Sequence, residues 1–228
     1  MTADGAVDVF TRSVEDYLKA VYRLSSDERA ASTTEIAQRL ALSPASVSAM
    51  IKRLSEQGLV DHERYRGVRL TEDGRRAALR IVRRHRLVET YLVEFLGYDW
   101  DNVHAEAEQL EHAMSDELVE RMAAALGHPS CDPHGDPIPA ADGSISDLEG
   151  IPLPAMTAGD ECVLSRVSEA DPARLRYLGS LGIRPGLRFT VVECAPFDGP
   201  VTIQTSFGTR VIGHALATGL LCTRESVP

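Results

Sequence analysis

Four residues in one short stretch, His104, Glu108, Glu111 and His112, are of types that bind divalent cations and are spaced to bind one together. At 100° per residue of an α-helix they fall at 0°, 40°, −20° and 80° from His104, a single stripe about 100° wide. Two imidazoles and two carboxylates on one face are costly to bury unless a cation compensates them. His85 and Glu89 repeat the pattern at i, i+4, and Asp16 stands among apolar neighbours at helical spacing. Scattered Glu and His on a solvated helix is the plain alternative. Four in register beside a second pair favour a metal. The donors are all nitrogen or oxygen, which suits manganese(II) or iron(II) rather than copper(I) or a thiolate zinc site. Cys131 and His134, in the run Cys131-Asp132-Pro133-His134-Gly135-Asp136, offer an additional pair, whereas Cys162, Cys194 and Cys222 fall in strand-like segments and read as core. With no C-x-x-C pair, a zinc ribbon or a disulfide scaffold is disfavoured.

Helices must present these side chains. The apolar period predicts a long helix from residue 71 to 96, stopped by Gly97, and two more over 100–114 and 115–126. Ahead of them, helical periodicity covers residues 14–24 with Ser13 as N-cap, 33–40, and 44–54, the last opening with Pro44 at its first position. Strand-like runs at 59–63 and 68–71 flank Arg64-Tyr65-Arg66-Gly67. A helix–turn–helix followed by a hairpin is the winged-helix plan, whose second helix enters the major groove. Facing away from its Val47, Met50, Ile51 and Leu54 stripe are Ser43, Ala45, Ser46 and Ala49, then Lys52 and Arg53, with Thr34 and Ser48 as further contacts. Short side chains let a backbone approach base edges closely. Arg64 and Arg66 on the wing suit phosphates, which position a protein without reading sequence. A helix–turn–helix used only for packing would not need that basic wing.

Residues 127–158 turn to Pro, Gly, Ser and Asp and read as a linker, after which short runs at 161–165, 187–192, 201–205 and 220–223 predict a small β-barrel. The fold class is thus mainly α with a small β domain. The expected division is a winged helix over 1–74, a helical metal-binding and dimerisation domain over 75–140, a linker over 141–156 and the β domain over 157–228. Dimerisation is expected because one helix–turn–helix grips DNA weakly.

The 228 residues carry a net charge of −10, which by itself speaks against nucleic acid. The average hides a split. Residues 34–96 hold twelve Lys or Arg against eight Asp or Glu, whereas residues 97–137 hold one against ten. A basic segment followed by an acidic one fits a DNA-facing part joined to a cation-binding part. Hydrophobic residues at 43% suffice for a core, and no apolar run approaches the ~20 residues of a membrane span. The N-terminus lacks a signal-peptide pattern, so a cytoplasmic protein without membrane partners is expected. No nucleophile elbow, phosphate loop or cofactor motif occurs, so neither an enzyme nor a small-molecule substrate is expected. A carboxylate-bridged di-metal enzyme, the rival from another class, leaves the winged helix unexplained.

With these motifs in view the chain resembles the diphtheria toxin repressor family of metal-dependent transcriptional repressors, and within it the manganese transport regulators of actinobacterial type. The matching runs are Glu15-Asp16-Tyr17-Leu18-Lys19, Ser43-Pro44-Ala45-Ser46-Val47-Ser48, Arg84-His85-Arg86-Leu87-Val88-Glu89, Val103-His104 with Glu108, Glu111 and His112, and Pro133-His134-Gly135-Asp136-Pro137-Ile138-Pro139. The resemblance covers essentially the whole chain and implies a C-terminal SH3-like (FeoA-like) domain beginning near Thr157. It also implies one metal site at Asp16, Glu108, Glu111 and His112, and a second at His85, Glu89 and His104 completed by Glu169 and Asp171. Two manganese(II) ions per subunit, a homodimer and double-stranded operator DNA follow from it, with repression of metal-uptake genes as the expected function. An iron(II)-dependent repressor of the same architecture is the alternative. Iron-responsive members carry Met and Cys where this chain has Asp16 and Glu108, a change that hardens the site. Small two-domain manganese members carry a Glu one turn after the Asp; Lys19 stands there in this chain, against a closely spaced binuclear centre.

Overall fold

The computed structural model describes residues 10–26, 29–63, 66–146, 150–168 and 171–225. The chain forms two compact units, Met1–Arg84 with Pro139–Ser144, and His85–Ile138 with Ile145–Pro228.

In the first unit α1 (Arg12–Leu24) precedes α2 (Thr33–Leu40) and α3 (Pro44–Glu56), followed by the antiparallel pair β1 (Val60–Glu63) and β2 (Gly67–Leu70). Local chemistry explains the starts. Ser32 and Glu35 form a reciprocal capping box at α2, each side chain accepting from the other's backbone N–H. Pro44 opens α3 while the Ser43 hydroxyl accepts from Ser46 N–H. α1 begins two residues earlier than expected, with Thr11 rather than Ser13 at the cap position and no side-chain cap bond. Its stability comes from the core instead, where Leu18 and Val21 pack with Ile36, Val47, Ile51, Leu54, Val60 and Val68. Ala78 and Ile81 of α4 (Glu72–Leu96) close that core.

The second unit begins within α4 and continues with α5 (Val103–Leu110), a 3₁₀ turn at Glu111–Ala113 and α6 (Asp116–Ala125), which the Ser115 hydroxyl caps. The expected helix over 100–114 is therefore corrected. α5 stops at Leu110 and the chain tightens, as helices often do at their C-termini. Glu111 and His112 thus follow the stripe of His104 and Glu108 without sharing its helix.

The C-terminal part is one antiparallel sheet in the order β3-β8-β4-β5-β6-β7, made of β3 (Ile151–Pro152), β4 (Glu161–Val167), β5 (Arg188–Cys194), β6 (Val201–Thr205), β7 (Gly208–Ile212) and β8 (Leu220–Arg224). The four expected strands are all there, with ends shifted by two residues at most. Two further strands, β3 and β7, and two helices, α7 (Pro172–Ser180) and α8 (His214–Ala217), are additional. The linker expected over 141–156 is also corrected. Ile151 pairs with Cys222, and Leu153 and Met156 lie in the core of the sheet domain. Residues 131–138 form a packed turn, with Ile138 buried against Leu87, Val119 and Ala123. Trp100, read as helical, instead joins the core beneath the sheet, with the Arg184 guanidinium over its ring. All four cysteines are free thiols, and burial pushes the Cys222 thiol up to about 12.

Candidate functional site

Within the second unit the sequence-predicted ligands converge from three elements. α4 brings His85 and Glu89, α5 brings His104 and Glu108, and the 3₁₀ turn brings Glu111 and His112. His85 links them: its Nδ1 lies 2.5 Å from Glu111 Oε2 and its Nε2 3.1 Å from Glu89 Oε1. His104 Nδ1 lies 3.0 Å from the same Glu89 oxygen, and its Nε2 is 3.5 Å from Glu108 Oε1. His112 Nε2 lies 3.3 Å from Glu111 Oε1. Ligand atoms of His85, His104 and Glu108 lie within 4.8 Å of one another, and so do those of Glu108, Glu111 and His112.

Burial gives this arrangement its electrostatic character. Glu111 and Glu89 are almost wholly buried, whereas the His104 side chain is 48% exposed and marks the open side. Burial alone would lower the His85 pKa, but its bonds to Glu111 and Glu89 outweigh that and hold it at about 9. Burial likewise disfavours the Glu89 carboxylate, yet hydrogen bonds from His104 and His85 keep it ionised well below the usual carboxylate range. An imidazolium here compensates two buried carboxylates. A divalent cation fits the same requirement, so the donor set suits a metal.

A further group was not foreseen as such. Glu89, Asp132 and His134, all buried, offer ligand atoms within 4.8 Å of one another. Asp132 Oδ1 accepts from the backbone N–H of His134 at 2.8 Å and of Asp136 at 3.0 Å, closing a tight turn. His134 Nε2 lies 2.7 Å from the Trp100 carbonyl, which assigns the proton to Nε2 and leaves the Nδ1 lone pair for a cation. Burial, then the charges of Glu89 and Asp136, raise Asp132 to about 7. Carboxylates crowded in this way call for a positive charge. The signal in the sequence was the Asp132-Pro133-His134-Gly135-Asp136 run, where the expected pairing took His134 with Cys131. Cys131 belongs to none of the groups found among the described residues.

The remaining predicted ligands are placed as follows. Asp16 sits half-buried on α1 in the first unit, next to the buried Glu15, whose Oε1 lies 3.4 Å from Arg84 Nη1. Asp171 caps α7 by accepting from Ala173 N–H at 2.9 Å and belongs to none of the three groups. Asp171 thus stands at the N-terminus of α7 and outside the groups found among the described residues. Glu169 lies outside the described residues.

The face of α3 away from the core exposes Ala45, Ser46, Ser48, Ala49, Lys52 and Arg53, and Thr34 is exposed on α2. The serines are engaged locally: Ser43 Oγ lies 2.9 Å from Ser46 Oγ, and Ser48 Oγ donates to Pro44 O at 2.9 Å. Arg66 is exposed beside β2, and Arg64 lies outside the described residues. Phe95, Leu96, Tyr98, Leu110 and Leu118 leave large apolar side chains exposed on the helical part of the second unit, as a protein-binding surface does. No helix among the described residues is long and apolar enough to cross a membrane.

Comparison with known proteins gives the family and its domains. Residues 9–68 match the profile "Iron dependent repressor, N-terminal DNA binding domain", residues 71–140 "Iron dependent repressor, metal binding and dimerisation domain", and residues 151–223 the FeoA domain. The chain is 34% identical to the diphtheria toxin repressor of Corynebacterium jeikeium, across 90% of this chain and 95% of that one. It is 30% identical to the iron-dependent repressor IdeR of Mycobacterium tuberculosis, across 90% and 94%. Among solved structures, a manganese-dependent transcriptional repressor in complex with manganese superposes with a TM-score of 0.86 at 44% identity, covering 93% of this chain and all of that one. Its partners are accordingly DNA and a second copy of itself, and its role is regulatory rather than enzymatic. The chain belongs to the diphtheria toxin repressor family of metal-dependent transcriptional repressors.

Proposed function

We propose that this repressor is activated by manganese(II) and controls metal-uptake genes, with two ions bound per subunit. The observation that carries the metal assignment is the donor set: among the described residues every candidate ligand is an imidazole or a carboxylate, and no cysteine is among them. Such donors suit a hard cation. The 44% identity to a repressor described as manganese-dependent supports the same reading.

The first ion is assigned to Glu108, Glu111 and His112, with Asp16 as the ligand that the family resemblance adds from α1. The second is assigned to Glu89, Asp132 and His134; the His85, Glu89 and His104 set that the family resemblance implies, whose ligand atoms lie 3.0–3.1 Å apart, stands as its alternative. His85 and His104 lie between the two and couple them through Glu111, Glu108 and Glu89. A bound cation supplies the charge that lets these carboxylates stay buried together. Because Asp16 belongs to the DNA-binding part and the other ligands to the dimerising part, the metal favours the arrangement that binds operator, shifting a population rather than creating a new fold. On the DNA, α3 reads base edges and the wing holds phosphate.

Iron(II) is the second reading, favoured by identity to iron-dependent relatives. Operator binding titrated anaerobically with manganese(II), iron(II), zinc(II) and cobalt(II) decides between them. Half-saturation at a lower free concentration of manganese than of iron is expected, and the reverse order overturns the assignment.

A further inference from the structure

The turn that presents Asp132 and His134 is gripped from two sides. On the helical side Arg86 reaches it three times: Nη1 donates to the Pro137 carbonyl, Nε lies 3.7 Å from Asp132 Oδ2, and Nη2 3.5 Å from Asp136 Oδ1. On the other side lies β4 of the FeoA domain. The pairing of β4 with β8 slips between Leu164 and Arg166, a bulge of the kind that re-aims side chains and frees backbone groups. There Val167 N–H donates to the His134 carbonyl at 2.8 Å, and Arg166 Nε approaches Asp136 Oδ1 to 2.8 Å. Both of those side-chain atoms are buried without an aligned hydrogen bond, so it is charge that each offers the other. The fit is close. Gly135, at φ +85°, would place a Cβ 2.1 Å from the Ser165 carbonyl oxygen and 2.8 Å from Arg166 Cα. Asp136 matters to the cluster because its backbone N–H is one of the two that orient the Asp132 carboxylate.

We propose that Arg166 is a positioning residue for the Glu89, Asp132 and His134 cation site, so that the FeoA domain tunes the affinity of that site through the turn that presents it. The inference rests on the assignment of an ion to that cluster. Losing Arg166 leaves Asp136 a half-buried carboxylate beside Asp132 with one guanidinium fewer, and the turn relaxes away from Glu89. Partners that orient ligands typically contribute about 10–100-fold to metal affinity, so an effect of that size is expected here.

The test is manganese(II) titration of the full chain, reading free ion by electron paramagnetic resonance, for wild type, Arg166→Gln, Arg166→Lys, Gly135→Ala and a reference with Asp132→Asn and His134→Ala. The reference should lose one of the bound ions. Arg166→Gln should weaken that same ion about tenfold or more, leaving the other ion and the metal-free melting temperature as in wild type. Arg166→Lys, which keeps the charge, should restore most of the affinity, a rescue that simple loss of packing does not give. Gly135→Ala should weaken the same ion by displacing the turn from β4. Wild-type affinity in Arg166→Gln, or equal weakening of both ions, overturns the positioning role while leaving the site intact. A reference variant that binds like wild type overturns the ion assignment itself, and the inference with it.

Discussion

The DNA-facing surface and the metal cluster solve opposite problems. α3 keeps its reading face short, polar and solvent-exposed over a wholly apolar stripe of Val47, Ile51 and Leu54. Its serines satisfy each other and the helix backbone, so the face is complete without a ligand. The cluster in the second unit buries Glu89, Glu111, Asp132 and His134 and brings them from α4, a 3₁₀ turn and the 131–138 turn. There, charge is held in balance by one protonated imidazole and the Arg86 guanidinium. The lesson lies in how each is held: the face of α3 is fixed locally, whereas the cluster is the part whose charges are provisional.

The sharpest way to break this contrast is to remove a buried donor. Glu111→Ala should abolish manganese-stimulated operator binding, a loss on the order of 100-fold or more, above what an orienting partner contributes. Asp16→Ala should do the same with fold and dimer intact, as gel filtration and a mobility-shift titration would show. A wild-type response from either variant places activation elsewhere.

Acidity should produce the next largest effect. In the metal-free protein His85 holds its proton up to about 9 and Asp132 up to about 7. A proton held at either place opposes the incoming cation, so manganese affinity should rise between pH 6 and 9, most steeply below 7 where both groups still hold protons. Operator binding by α3 at saturating metal should change far less over that range. A flat affinity profile would mean that these groups release no proton on binding.

Selectivity should move by a smaller amount. Asp16→Met with Glu108→Cys should tilt activation from manganese(II) toward iron(II), because both changes soften the donor set. Relative activation by the two metals, measured in one operator assay, should therefore invert or narrow; an unchanged ratio would place selectivity outside these two positions.

The smallest effects belong to the DNA face. Ala49→Gln should alter base preference by about 1–3 kcal/mol at one position while leaving non-specific affinity nearly unchanged. Arg66→Gln should weaken operator and random DNA alike and reduce the slope of log K against log salt by about 0.9. Loss of operator binding alone in the Arg66 variant would make the wing a reader of sequence.

Local chemistry made much of this molecule readable from its residues. α2 starts at its Ser32–Glu35 box and α3 at Ser43-Pro44, and the wing strands lie where alternating Val, Leu and charged residues set them. The candidate donors of α4 and α5, which the structure brings together, share helical spacing in the sequence. Periodicity could not show that Glu111 and His112 leave the helix, because a 3₁₀ turn keeps nearly the same face. Nor could it join Asp132 and His134 to Glu89. That union depends on a turn held by long-range contacts to Arg86 and β4, which leave no period in the chain. Asp171 has two readings for a similar reason: a carboxylate just before a Pro-led helix fits a ligand or a cap, and here it caps α7.

The thiols carry a last consequence. Cys162 and Cys222 are buried under the FeoA sheet, burial holds the thiols of Cys162, Cys194 and Cys222 in their protonated form, and no cysteine stands among the candidate ligands. Peroxide and disulfide stress act through thiolates. The FeoA sheet built this way offers an oxidant no ready thiolate, so its packing holds while the redox state of its surroundings swings.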